Sequence, residues 1–229
     1  MALIGAVPSA PLSLRTRLLR GIEIVALFGG IPLLLAKTLP PRGIIPALWV
    51  IALIVFLALR ATPDFDRMRL TTWGPWLREV RPMLLRFMVA ALLLGGALYA
   101  YRPGLLFRFP LTKPWNWLLV MVCYPWLSVY PQAIVYRALY EHRYAPVFPT
   151  RFLRRLAGAV VFSLAHLPFG NAWALGFTFF GGWLFLGTYE RTGSLPLSCV
   201  EHALYGNLLF TVGWGAYLYH GGTQALLAG

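Results

Sequence analysis

Apolar runs long enough to cross a bilayer recur along almost the whole chain, at roughly residues 21–36, 44–59, 83–101, 115–144, 152–167, 172–189 and 196–219. A spanning helix needs about 20 predominantly apolar residues. Such runs restrict the fold more than any motif does, because in lipid every backbone N–H and C=O must find its partner within the protein, and a helix pairs them locally. The 229 residues are 59% hydrophobic and 12% charged, too few polar groups to coat a soluble domain of this size. The expectation is an all-α fold, a polytopic transmembrane helix bundle of about seven spans that forms a single integral membrane domain over residues 1–229. An eighth span would return the C-terminus to the side on which the chain starts.

A net charge of +13 invites a nucleic-acid reading, but nucleic-acid binding needs bases clustered on one soluble face. Here they sit at the ends of apolar runs, so the lipid bilayer is the expected partner and nucleic acid is not. With the N-terminus in the cytoplasm, the loops on that side hold 13 Lys and Arg, among them Arg15, Arg60, Arg143 and Arg155. The other side holds 5, namely Lys37, Arg42, Arg102, Arg108 and Lys113, and Arg86 and Arg137 fall within spans, which completes the 20. This asymmetry predicts a cytoplasmic N-terminus, with a bacterial inner membrane as the expected location. The segment Met1 to Leu14 precedes its basic cluster, the reverse of a signal peptide, and is expected to be retained. Residues 60–82, with Trp73 and Trp76 among bases, predict an interfacial segment, and Arg86 is placed to snorkel. Glu23 reads as an interfacial or interhelical contact, and Cys123 and Cys199 as small packing residues.

Polar groups inside the apolar runs gather in the C-terminal half. Gln132 and Arg137 flank Ala133 on a run interrupted by Pro125 and Pro131, His166 follows on the next run, and Glu201, His202 and Asn207 share the last one. At about 1.5 Å per residue from the predicted cytoplasmic ends, position 133 lies about 15 Å deep, His166 about 16 Å and His202 about 9 Å. Similar depths predict one buried site on the cytoplasmic side of the midplane.

Four stretches, Pro131-Gln-Ala-Ile-Val-Tyr-Arg137, Phe162-Ser-Leu-Ala-His166, Gly181 to Ser194 and Glu201-His-Ala-Leu-Tyr-Gly-Asn207, together resemble the motifs of the CAAX-protease and bacteriocin-processing family of intramembrane glutamic proteases. The resemblance covers about 117–219, within a motif-bearing core of about 115–219. The family pattern has Glu-Glu-x-x-x-Arg on one helix, Phe-x-x-x-His on the next motif helix and His-x-x-x-Asn/Asp on the last. Arg137, Phe162, His166 and His202 match it. The two glutamates fall on Gln132 and Ala133, and the last motif position falls on Gly206, with Asn207 one residue late. A subgroup with Pro-Gln-Glu in place of the double glutamate and Glu-His-Ala-Leu-Tyr-Gly at the last motif is nearer, and against it Ala133 is the departure that matters.

The resemblance implies a cofactor-free intramembrane endopeptidase that acts near the terminus of a membrane-anchored peptide or protein, such as a prenylated tail or a C-terminal sorting signal. Peptide hydrolysis needs a base for water, a donor for the oxyanion and a proton for the leaving amine. His166 suits water orientation or proton transfer, and His202 with Asn207 suits the oxyanion. Position 133 lies at i−4 from Arg137, where a carboxylate would meet the guanidinium. The alanine leaves the expected base missing, whether the chain is a natural pseudo-enzyme or alanine was introduced there. Glu201, beside His202, is a substitute base only at the edge of a shared cavity, because adjacent helical residues point about 100° apart. Other readings are interhelical hydrogen bonds for Gln132 and Asn207, a metal on the two histidines without its expected third ligand, a transporter lacking paired discontinuous helices, and a non-catalytic binding or escort protein that holds a helix without cutting it.

Overall fold

The computed structural model describes residues 12–218, so most of the N-terminal segment expected to be retained, residues 1–11, lies outside the described residues. Among those described there is no strand, and eight helices carry the fold. These are α1 (Leu14–Thr38), α2 (Pro41–Ala61), α3 (Trp76–Tyr101), the short α4 (Arg108–Thr112), α5 (Pro114–Val147), α6 (Arg151–Leu164), α7 (Ala172–Thr192) and α8 (Leu195–Val212). Their starts are written in the sequence. Ser13, Thr150, Asn171 and Ser194 each accept a hydrogen bond from a backbone N–H of the first turn they precede, which satisfies donors the helix itself leaves open. Gly193, at φ +64°, closes α7 in the left-handed conformation that glycine adopts without strain.

Among the described residues five helical stretches are long and apolar enough to cross a membrane: α1, α2, α3, α5 and the stretch Arg151–Phe169 that contains α6. The sixth and seventh predicted spans, α7 and α8, are present as helices of 21 and 18 residues but are less apolar. α7 spends positions on Gly181, Gly182, Thr188 and Glu190, and α8 carries Glu201, His202 and Asn207. Much of each is buried within the bundle, so their polar groups meet protein. The predicted interfacial segment is shorter than expected, since α3 begins at Trp76 and takes up its last third.

The run with Pro125 and Pro131 stays helical throughout, with two wide π turns at Pro125–Val129 and Ile134–Leu139. A helical proline deprives the carbonyl four residues back of its N–H partner, here those of Met121 and Leu127. Both are served from neighbouring helices. Asn207 Nδ2 of α8 donates to the Met121 carbonyl at 3.3 Å, and Trp49 Nε1 of α2 donates to the Leu127 carbonyl at 3.1 Å. Asn207 thus acts as the interhelical clamp, the plainer of its two sequence readings. Replacing Trp49 by Phe should lower stability by about 1 kcal/mol, the usual range for leaving one such group unpaired. Thermal unfolding in detergent, with the exposed Trp115 changed to Phe as control, checks this; equal melting of the two variants would remove the clamp from the account.

The two ends of the bundle differ. At one end Arg143 grips Glu23 with two hydrogen bonds of 2.9 and 2.8 Å, and Glu190 accepts from Arg154 and Arg155. Ser194 Oγ donates to the Thr72 carbonyl there. The base-rich loops all lie at this end. The opposite end is aromatic, with Trp173 and Tyr101 packed on Trp214 and Asn171 donating to the Tyr217 carbonyl. The Glu23 contact is interhelical, as expected.

Candidate active site

A cavity of about 1360 Å³ lies between α1, α2, α3, α5, α6, α7 and α8. Its walls are apolar and aromatic, and its polar side chains include Tyr124, Ser128 and Gln132 of α5, His166 after α6, and His202 of α8. Among the described residues no carboxylate lines it. Both histidine rings pack on the ring of Phe162, His166 at 4.9 Å and His202 at 5.5 Å between centroids. His166 follows the last turn of α6, and its Nδ1 lies 2.8 Å from the Phe162 carbonyl.

Arg137 stands behind His202 and does not line the cavity. It is 1% exposed, and its Nη2 lies 3.3 Å from His202 Nδ1. Its guanidinium sits over the rings of Phe162 and Phe185, at 4.7 and 5.3 Å from their centroids, so aromatic faces take the place of the carboxylate missing at 133. The Leu127 carbonyl, which Pro131 leaves without its helical N–H partner, is taken by Trp49 and not by Arg137. Gln132 Nε2 donates to Ser128 Oγ at 2.7 Å, and its Oε1 has no hydrogen-bond partner.

An arginine only donates, so His202 Nδ1 must accept from it and the ring proton resides on Nε2. That Nε2 lies 3.1 Å from Tyr124 Oη. The histidine therefore donates to Tyr124 and leaves the tyrosine proton to be given elsewhere, and Tyr124 lines the cavity. A side chain at Gly206 would collide with the Tyr124 ring and hydroxyl. The tyrosine thus fills the space next to His202 in which the motif pattern has Asn or Asp. Sequence reasoning missed Tyr124; the available signal was a glycine at a motif position that elsewhere carries a polar side chain.

The other expected site residues separate. Ala133 is fully buried in an apolar cluster with Phe28, Ala52 and Ile134 and does not line the cavity. Of the adjacent pair, Gln132 is the cavity-facing residue. Glu201 is fully buried but does not line the cavity; it accepts from Arg86 Nη2 at 2.8 Å and from Thr188 Oγ1. Arg86 turns inward to this carboxylate and does not snorkel. Asn207 is engaged with Met121 and also does not line the cavity. The free Cys123 lines the cavity, and Cys199 packs against the apolar cluster.

The cavity also extends beyond the half of the bundle expected, with a lining that runs from Val55 and Leu139 to Arg42 and Trp173. Its walls include the start of α2, the turn at Leu167–Phe169 and the start of α7, all at the base-poor end. Counting depth from Arg155 placed His166 on the base-rich side of the midplane, but α6 ends at Leu164 and His166 lies beyond it.

Together these features define a polytopic helical membrane protein whose interior cavity carries two histidines, a tyrosine and a buried arginine behind them. Residues 110–208 match the family model described as type II CAAX prenyl endopeptidase Rce1-like. That stretch runs from α4 to α8 and contains every polar cavity group described above, so the match supports the resemblance of this part of the chain to the CAAX-protease family of intramembrane endopeptidases. No curated protein and no solved structure gives a significant match to the chain.

Proposed function

We propose that this scaffold holds the terminal region of a membrane-anchored peptide or protein, a prenylated tail or a C-terminal sorting signal, in the cavity beside His166, Tyr124 and His202, and that it is impaired in hydrolysis as written. The observation that carries this reading is a cavity furnished for a peptide carbonyl with no carboxylate among its described lining residues. Tyr124 has a proton to give, His202 is held behind it in one tautomer by Arg137, and His166 stands near enough to orient water. The glutamine at 132 reproduces the shape of a glutamate but cannot take a proton from water near neutral pH. A bacterial inner membrane with the N-terminus in the cytoplasm is the setting we propose.

The same missing carboxylate supports a second reading, a non-catalytic binding or escort protein that uses the cavity for retention alone. Reconstitution with single-span reporter peptides separates the two. The unaltered chain should retain peptide without cutting it, and His202→Ala should weaken retention. In a form given a carboxylate at the cavity, Tyr124→Phe should lower cleavage by about 10²–10³, the usual effect of deleting one oxyanion donor. Unchanged cleavage in Tyr124→Phe would remove the tyrosine from the chemistry. Peptide retention with no cleavage in any carboxylate-bearing form would favour the escort reading.

A further inference from the structure

We propose that the cavity is loaded from the side of the membrane opposite the cytoplasm, so that its occupant is a single-span protein whose terminal segment lies on that outer side. This rests on the reading of the cavity as a peptide site and adds to it the direction of entry and the topology of the partner.

Two independent observations meet here. The first is where the cavity reaches exposed side chains: Leu93 and Leu119 line it on the flank of α3 and α5, in the base-poor half of those helices, and it continues to the base-poor end. The cavity runs past Leu48, Ile45 and Ile44 to Arg42, which both lines it and is exposed. Pro168, Trp173 and Leu218 form its wall at the same end. Toward the other end the bundle is filled. Phe28 packs on Tyr136, Tyr140 and Tyr144 at 5.5–6.1 Å, and Tyr140 and Tyr144 are fully buried. Beyond them the Arg143–Glu23 pair joins α5 to α1, and the Arg154–Glu141 and Arg155–Glu190 pairs join α6 to α5 and α7. A peptide entering there would have to break these ion pairs and displace two packed tyrosines. Among the described residues no such ion pair or tyrosine pair stands in its way at the Arg42 end.

The second observation is the distribution of bases. The filled end carries 13 Lys and Arg and the open end 5, and an excess of bases in short loops marks the cytoplasmic side. Acidic residues count little in this rule, so Glu23, Glu141 and Glu190 at the filled end do not offset it. The open end is therefore the outer one. A segment reaching the polar groups must arrive from that surface, and an apolar anchor in the bilayer keeps it at the mouth.

The test uses the full chain in bacterial cells. With Cys123 and Cys199 changed to Ser, a single cysteine replaces Arg42 or the exposed Arg151, and a membrane-impermeant maleimide is added before and after permeabilisation. Arg42→Cys should label in intact cells and Arg151→Cys only after permeabilisation. In the same cells a photoreactive benzoyl-phenylalanine at Phe177, a wall residue, is offered two reporters. Both have one apolar helix and one terminal peptide, which lies outside in the first and in the cytoplasm in the second. The outer reporter should cross-link at least ten-fold more. Reversed labelling, or equal or preferential cross-linking of the cytoplasmic reporter, overturns the direction of entry and leaves the peptide reading standing. Cross-linking of neither overturns the peptide reading and this proposal with it, while the labelling still reports orientation.

Discussion

Gln132→Glu should turn this chain into a peptide hydrolase, and Ala133→Glu alone should not. Position 132 faces the cavity that His166, Tyr124 and His202 share, whereas Ala133 is fully buried in an apolar cluster. A positioned general base contributes about 10²–10⁴ in rate, and the glutamine site already accommodates a side chain of glutamate's length. At 133 the larger side chain would overpack its cluster at about 1–3 kcal/mol. Any carboxylate it presented would compete with His202 for Arg137. The double variant, with a carboxylate at each position, should cut if the second one orders Arg137 without releasing His202. Cleavage of a reconstituted membrane-anchored peptide followed by mass, with His166→Ala as a control in each background, reads the outcome. Cutting by Ala133→Glu but not by Gln132→Glu would place the base where the sequence motif put it and discard the argument from cavity lining.

The second large effect concerns stability. Arg86→Leu should destabilise the fold by about 3 kcal/mol, because removing one partner of a buried pair leaves an uncompensated charge. Glu201 is fully buried, and besides Arg86 it has the Thr188 hydroxyl. Thr188 in turn accepts from Arg191, which reaches Glu79 at 3.2 Å. Adding Glu201→Leu to Arg86→Leu should recover much of the loss, since an apolar pair of similar volume no longer strands a charge. Thermal unfolding in detergent of both single variants and the double measures this. A double variant no more stable than Arg86→Leu would show that the pair is not the unit of stability here.

The all-helical architecture was legible because span-length apolar runs admit little else. The motif residues His166 and His202 were legible as candidates for one site, and the structure brings both to the ring of Phe162. Other features were hidden for definite reasons. The i, i+4 spacing cannot say which of two adjacent residues faces a cavity when wide π turns flank them, and that separates Gln132 from Ala133. The Arg86–Glu201 pair joins residues 115 positions apart, and nothing local to Arg86 announces it, so snorkelling was the local answer. Tyr124 belongs to no motif and takes its place only because Gly206 leaves room. The function of Asn207 was recoverable, since Pro125 names the carbonyl that lacks a partner; only the identity of the donor required the fold.

That borrowed hydrogen bond has a consequence for how the sequence can drift. Pro125 and Asn207 answer to each other, as do Pro131 and Trp49, although neither pair is close in the chain. Each proline is tolerable while its partner helix offers a donor, and each donor has its full value only while the proline is there. Related chains that lose the proline at 125 should therefore be released from keeping an amide at 207, and those that keep it should keep a donor. The two positions are expected to vary jointly, as a single inherited character spread over two helices.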